Sequence, residues 1–234
     1  MATTFPGPQV PEDGSQKNPE KGLALFIEPL ILYCILFLPG ALRSDPPSEL
    51  VVFSAYRELI RTLVYNLPAL ALIWYLWRKS GRGGAVFLPG LQDLFGFLLA
   101  FPSLVLTGIC VSRAAAFFPE LPANIRIEAP GDITGFAALF FSCISTGYLE
   151  EGYFRYYLGE KIGQFGLGPR TFLLISTVLF SFCHVYEGPW GTMNSVLAAV
   201  ILGLVYIRFR SLHGIALAHG FYNLVVYLMS GVQA

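Results

Sequence analysis

The sequence predicts an all-α polytopic membrane protein of about seven transmembrane helices, six to eight, arranged around a polar cavity. Three observations predict it. First, 55% of the residues are hydrophobic and only 13% are charged, against about 25% charged in soluble domains. So little polar surface cannot coat a water-facing protein, and the mean hydropathy of +0.61 agrees. Second, apolar segments near the roughly 20 residues needed to cross a bilayer recur at 23–40, 59–77, 93–118, 133–157, 171–187, 193–209 and 213–230. Third, the few ionisable residues inside these segments gather in the second half, where only a shared polar cavity accommodates them.

Taken in order, the first 22 residues are rich in Pro, Gly and polar residues and read as a flexible tail, 1–22. The apolar run that follows lacks a small-residue cleavage site, so a first membrane helix is expected rather than a removable signal peptide. Residues 23–132 are expected to supply N-terminal transmembrane helices, and 133–230 a helical core that forms one membrane domain with them. Connections such as SDPPSE, RKSGRGG, GEKIGQFGLGPR, EGPWG and RSLHG are short. An apolar run of about 10–14 residues can lie in the interface instead of crossing, which sets the range of six to eight. No internal repeat is evident.

Arg78, Lys79, Arg82, Lys161, Arg170, Arg208 and Arg210 fall on one side of this arrangement. The positive-inside rule makes that side cytoplasmic, with the N-terminus. Arg43, Arg57, Arg61 and Arg126 fall on the other. The formal net charge is zero, so no basic field is present to hold nucleic acid. Cys34, Cys110, Cys143 and Cys183 lie in apolar segments without paired spacing, which argues against a disulfide framework or a cysteine zinc site.

A charge in a membrane helix costs roughly 2.5–3.5 kcal/mol on insertion scales and marks a functional candidate. The candidates are Glu28, Glu150, Glu151, Arg155, His184 and His219, with Asn223 as a polar companion. In GYLEEGYFRYYL, Glu151 and Arg155 share a helix face and can pair. Glu150 points about 100° away, without a partner in its own helix. In LFSFCHVYEG, Phe180 can pack beside His184, and Glu187 can orient the ring. In ALAHGFYNLVVY, His219 and Asn223 project from one face. Taken singly, each motif also has a structural reading as a helix end or an interhelical hydrogen bond. Glu28, near the start of the first span, is expected to snorkel to the surface.

The order EExxxR (Glu150, Glu151, Arg155), FxxxH (Phe180, His184) and HxxxN (His219, Asn223) resembles the CPBP family, the CAAX-protease and bacteriocin-processing (Abi) proteins that include the Ras-converting prenyl endopeptidases. The resemblance covers about residues 133–230. It implies an intramembrane glutamic-type endopeptidase that hydrolyses a peptide bond near the membrane surface. Glu150 and His184 then activate the water, His219 and Asn223 hold the oxyanion, and Glu151, Arg155 and Phe180 support the site. The implied substrate is a prenylated CAAX-type C-terminus, a bacteriocin leader or a C-terminal sorting segment. The implied partners are therefore a peptide or protein with a membrane-associated segment and the lipid around it, and the implied location is the plasma membrane of a prokaryote.

No cofactor is expected, although two histidines and a glutamate are catalytic zinc ligands elsewhere; the spacing here is not HExxH. The alternative is a non-catalytic membrane immunity or scaffold protein of the same fold. A small proton-relaying transporter is a third reading, which the missing inverted repeats disfavour.

Overall fold

A computed structural model describes residues 19–42, 50–79, 89–118 and 126–231 of the chain. Residues 1–18 of the expected tail lie outside that range. Eight helices are present among the described residues: α1 (Pro19–Leu36), a single turn α2 (Leu38–Ala41), α3 (Ala55–Lys79), α4 (Leu91–Ala115), α5 (Ile133–Gln164), α6 (Pro169–Phe182), α7 (Gly188–Phe209) and α8 (Leu212–Gly231). Five stretches are long and apolar enough to cross a membrane: Ala55–Lys79, Leu91–Ala115, Ile133–Gln164, Val185–Phe209 and Leu212–Met229. Two shorter apolar helices, Phe26–Leu36 and Pro169–Phe182, join them. The protein is an all-α integral membrane protein, and each of the seven expected apolar segments coincides with a helix.

Local chemistry sets the helix ends. The Ser54 hydroxyl accepts from the Arg57 amide (3.4 Å) at the start of α3. Asp132 accepts from the Gly135 amide (2.6 Å) at the start of α5. Both satisfy donors that the first helical turn leaves without partners. Pro169 opens α6, where its missing N–H costs nothing. Arg210 takes a left-handed conformation (φ 54°) at the end of α7, which turns the chain directly into α8.

Three boundaries differ from expectation. α5 continues past residue 157 to Gln164. Lys161, expected in a loop, is buried within the helix and pairs with Glu28 at 3.2 Å. Glu28 therefore does not snorkel freely: it meets Lys161 and the Tyr157 hydroxyl. α3 starts four residues before the expected position 59, which brings Glu58 inside the helix. A two-residue parallel pairing, Leu50–Val51 with Arg126–Ile127, joins the connections that precede α3 and α5. It fixes both at the same end of the bundle, as spans that cross in alternation require.

α8 packs on α4 and α5, while α7 packs on α4 and α6. Lipid-facing positions on α3 and α4, such as Leu63, Val64, Leu98 and Leu106, stay exposed. Two glycines decide how closely α5 and α8 approach. A Cβ added at Gly147 would lie 2.5 Å from the Ala216 carbonyl oxygen, and one at Gly220 would lie 2.9 Å from the Ile144 Cα. Membrane helices lack a hydrophobic drive to associate, so small residues that let backbones touch supply the packing. Intrinsic propensity favours Ala over Gly by about 1 kcal/mol within a helix. Gly147→Ala is nevertheless expected to lower the yield and thermal midpoint of folded protein in detergent, measured by scanning fluorimetry. An unchanged or raised midpoint would refute the close crossing.

Candidate active site

The glycine crossing carries α8 past α5 so that His219 lies against both carboxylates. Its Nδ1 donates to Glu151 Oε1 at 2.8 Å, and its Nε2 lies 3.6 Å from Glu150 Oε2. Glu151 also pairs with Arg155 Nε at 3.1 Å, and neither residue has any exposed side chain. The Arg155 guanidinium donates to the Ala199 carbonyl of α7 (3.1 Å) and lies 4.8 Å from the centre of the Phe180 ring. The sequence pairing of Glu151 with Arg155 is thus present, and it extends through His219 into a chain of three polar side chains. A six-residue π-helical stretch, Gly152–Tyr157, follows directly; such wider turns occur frequently at functional sites.

Phe180 is the aromatic floor of the cluster. It stacks on His184 with ring centres 4.5 Å apart and lies 5.8 Å from His219. Tyr186 continues the stack on the far side of His184 at 6.3 Å. His184 Nδ1 is 2.8 Å from the Phe180 carbonyl oxygen. A carbonyl only accepts, so Nδ1 carries the proton and Nε2 of the neutral ring offers a lone pair. That backbone carbonyl, rather than Glu187, orients the ring; Glu187 lies within electrostatic range of it.

Glu150 stands apart from these satisfied groups. Its Oε2 is buried and makes no hydrogen bond to the described residues. Tyr65, Cys183, His184, Tyr186 and Glu187 all lie within its electrostatic reach. Asn223 is half-buried one turn after His219, with no hydrogen bond to the described residues. Glu150, Glu151, Arg155, Phe180, His184 and His219 are therefore brought together by side-chain contacts or electrostatic proximity, and Asn223 is adjacent along α8. Among the described residues no three His, Cys, Asp or Glu side chains are arranged to hold a metal ion. A groove of about 480 Å3 is lined by Ile27, Glu28, Ile31, Leu32 and Leu76, with none of the cluster residues in its wall.

Sequence reading missed a second polar layer. Glu58 on α3 is buried, accepts from the Ser142 hydroxyl (2.6 Å), and lies 3.7 Å from both Arg57 and Arg61. Asn66 donates to Ser145 (2.8 Å) and Thr146 (3.0 Å). One signal was available: Ser142, Thr146 and Glu150 recur every four residues, a polar stripe on one face of α5.

Removing one partner from a buried ion pair costs about 3–5 kcal/mol, because the stranded charge stays desolvated. Arg155→Met is expected to prevent accumulation of folded protein, read as loss of the monodisperse peak in size-exclusion chromatography. Glu151→Gln/Arg155→Met, which leaves no unpaired charge, is expected to recover much of that peak. A normal peak for Arg155→Met alone would sink this account.

No curated protein and no solved structure matches the chain. Residues 132–225 match the family model described as Rce1-like, type II CAAX prenyl endopeptidase. The match begins at Asp132, the cap of α5, and ends two residues beyond Asn223, so it covers the helices that carry all three motifs. With that match, the chain's core from 132 to 225 belongs to the Rce1-like family of type II CAAX prenyl endopeptidases, a family of membrane proteases that act on peptide or protein substrates.

Proposed function

We propose that the chain is an intramembrane glutamic-type endopeptidase that cleaves a prenylated CAAX-type C-terminus. One observation carries the reading: the Glu150 carboxylate is buried and lacks a hydrogen bond, while every other charge around it is paired. An unsatisfied carboxylate in such a place has a functional reason or is a defect. A water molecule between Glu150 and the His184 lone pair supplies the missing donor.

In this reading Glu150 removes a proton from the water as its oxygen attacks the scissile carbonyl. The oxyanion that forms accepts from His219 Nε2–H and from the Asn223 side-chain amide. His219 in that role carries protons on both ring nitrogens, one for Glu151 and one for the oxyanion. Glu150 then returns its proton to the leaving amine, the C–N bond breaks, and the new carboxyl group departs. Glu151 and Arg155 hold His219 in place, and Phe180 holds His184 by stacking and through its carbonyl. The donor set disfavours a metal: His219 already engages both carboxylates, and His184 Nδ1 is engaged by a backbone oxygen.

The test uses purified protein in liposomes with a farnesylated CAAX peptide and a C-terminal sorting segment. Cleavage of the farnesylated peptide is expected to fall about 10²–10⁴-fold in Glu150→Gln, the usual contribution of a general base. Asn223→Ala is expected to lose about 10²–10³-fold, as for an oxyanion donor. A chelator is expected to change neither rate. Glu150→Gln protein that cleaves like the wild type removes the reading, and activity lost to the chelator replaces it with metal-assisted hydrolysis.

A further inference from the structure

The polar stripe on α5 has two ends. Glu150 marks one, and Ser142, which donates to Glu58, marks the other. Eight residues of helix separate them, about 12 Å along the axis. At the Ser142 end two guanidinium groups, Arg57 and Arg61, lie beside a single carboxylate, Glu58. The local charge is two cations against one anion, an excess of one positive charge. Ser142 and both arginines already surround Glu58, so the excess calls for a second anion.

Arg61 is the arginine placed to receive it. Arg57 spends a donor on the Val52 carbonyl at 2.8 Å. Arg61 meets Glu58 at 3.7 Å, too long for a hydrogen bond, and its side chain is half-exposed. It lies within hydrogen-bonding reach of Tyr227 and in the electrostatic range of Tyr186. Tyr186 stacks on His184, and both Tyr65 and Tyr186 feel Arg61 and Glu150 together. The guanidinium therefore stands beyond two phenols from the Glu150 cluster. A guanidinium fork with unused donors matches a carboxylate in two parallel hydrogen bonds.

We propose that Arg61 binds the terminal carboxylate of the peptide whose scissile bond lies at Glu150. This rests on the proteolytic reading above and adds to it a requirement for a free C-terminus. An extended chain advances about 3.3–3.6 Å per residue, so the 12 Å step accommodates a leaving fragment of about three residues. The charged end rests where an arginine and the end of the bundle solvate it. The apolar residues of the fragment lie between the two polar layers. Arg61 sets specificity and touches substrate, without taking part in proton transfer.

The experiment compares two farnesylated peptides of one sequence, one ending in a carboxylate and one in an amide, with the full chain in liposomes. Wild type is expected to cleave the acid with a kcat/KM about 10- to 100-fold above the amide, mostly through KM, as a charge-assisted hydrogen bond of typical strength requires. Arg61→Gln is expected to lower cleavage of the acid to the level of the amide and leave the amide unchanged. Glu58→Gln/Arg61→Gln, which strands no buried charge, is expected to behave the same way. Binding of both peptides to Glu150→Gln protein is expected to show the same acid preference without turnover. Equal cleavage of acid and amide by the wild type overturns the proposal while proteolysis stands, as does an Arg61→Gln variant that slows both equally. Acid preference in binding, with neither peptide cut, keeps the carboxylate site and removes the proteolytic reading. Equal binding with no cleavage removes both.

Discussion

The rest of the structure depends on a chain of three charges kept away from both water and lipid. Arg155, Glu151 and His219 join α5 to α8, and Arg155 reaches the backbone of α7. Each group is costly alone in such surroundings and tolerable when paired. The helices must therefore cross where the side chains meet, and Gly147 and Gly220 permit the approach. Once that crossing is fixed, His219 has little freedom: one nitrogen is committed to Glu151 and the other faces Glu150. A rigid imidazole beside an unsatisfied carboxylate is what acid–base chemistry on a positioned substrate requires.

The second fixed element is aromatic. Phe180 supports His184 and lies beside Arg155 and His219, so one ring sets the floor for groups from three helices. Tyr33 and Phe37 of the α1–α2 segment extend this packing to Phe154 and Tyr153. The Tyr33 hydroxyl also donates to the Leu179 carbonyl (2.9 Å). The N-terminal helices thus buttress the backbone that carries His184, although they contribute no residue to the EExxxR, FxxxH or HxxxN motifs.

Much of this was legible because membrane helices have strong sequence signals. Length and hydropathy located all seven apolar segments, and the four-residue spacing of Glu151 with Arg155, and of Phe180 with His184, foretold real contacts. What stayed hidden depends on tertiary packing or on backbone detail. No residue pattern announced the π-helical stretch Gly152–Tyr157, nor that Lys161 would find Glu28 across more than a hundred residues. Glu58 escaped notice because it stands at a helix start, where a carboxylate ordinarily meets water. Only the arrival of Ser142 from α5 makes it an interior group. The orienting partner of His184 was misassigned for a similar reason, since backbone carbonyls carry no sequence signature.

The Glu151–Arg155 pair has one more property: both members belong to the same helix, one turn apart. During synthesis the chain emerges N-terminal end first, and α5 reaches the bilayer before α8 exists. A carboxylate whose counter-ion lay on a later helix would have to wait in hydrocarbon uncompensated, or stall at the surface. Here the charge is neutralised within the inserting segment itself, and His219 later docks onto a pair that is already formed. The segment that bears the reactive Glu150 can thus enter the membrane before the site is complete, and its assembled chemistry begins only when the last of these helices has been made.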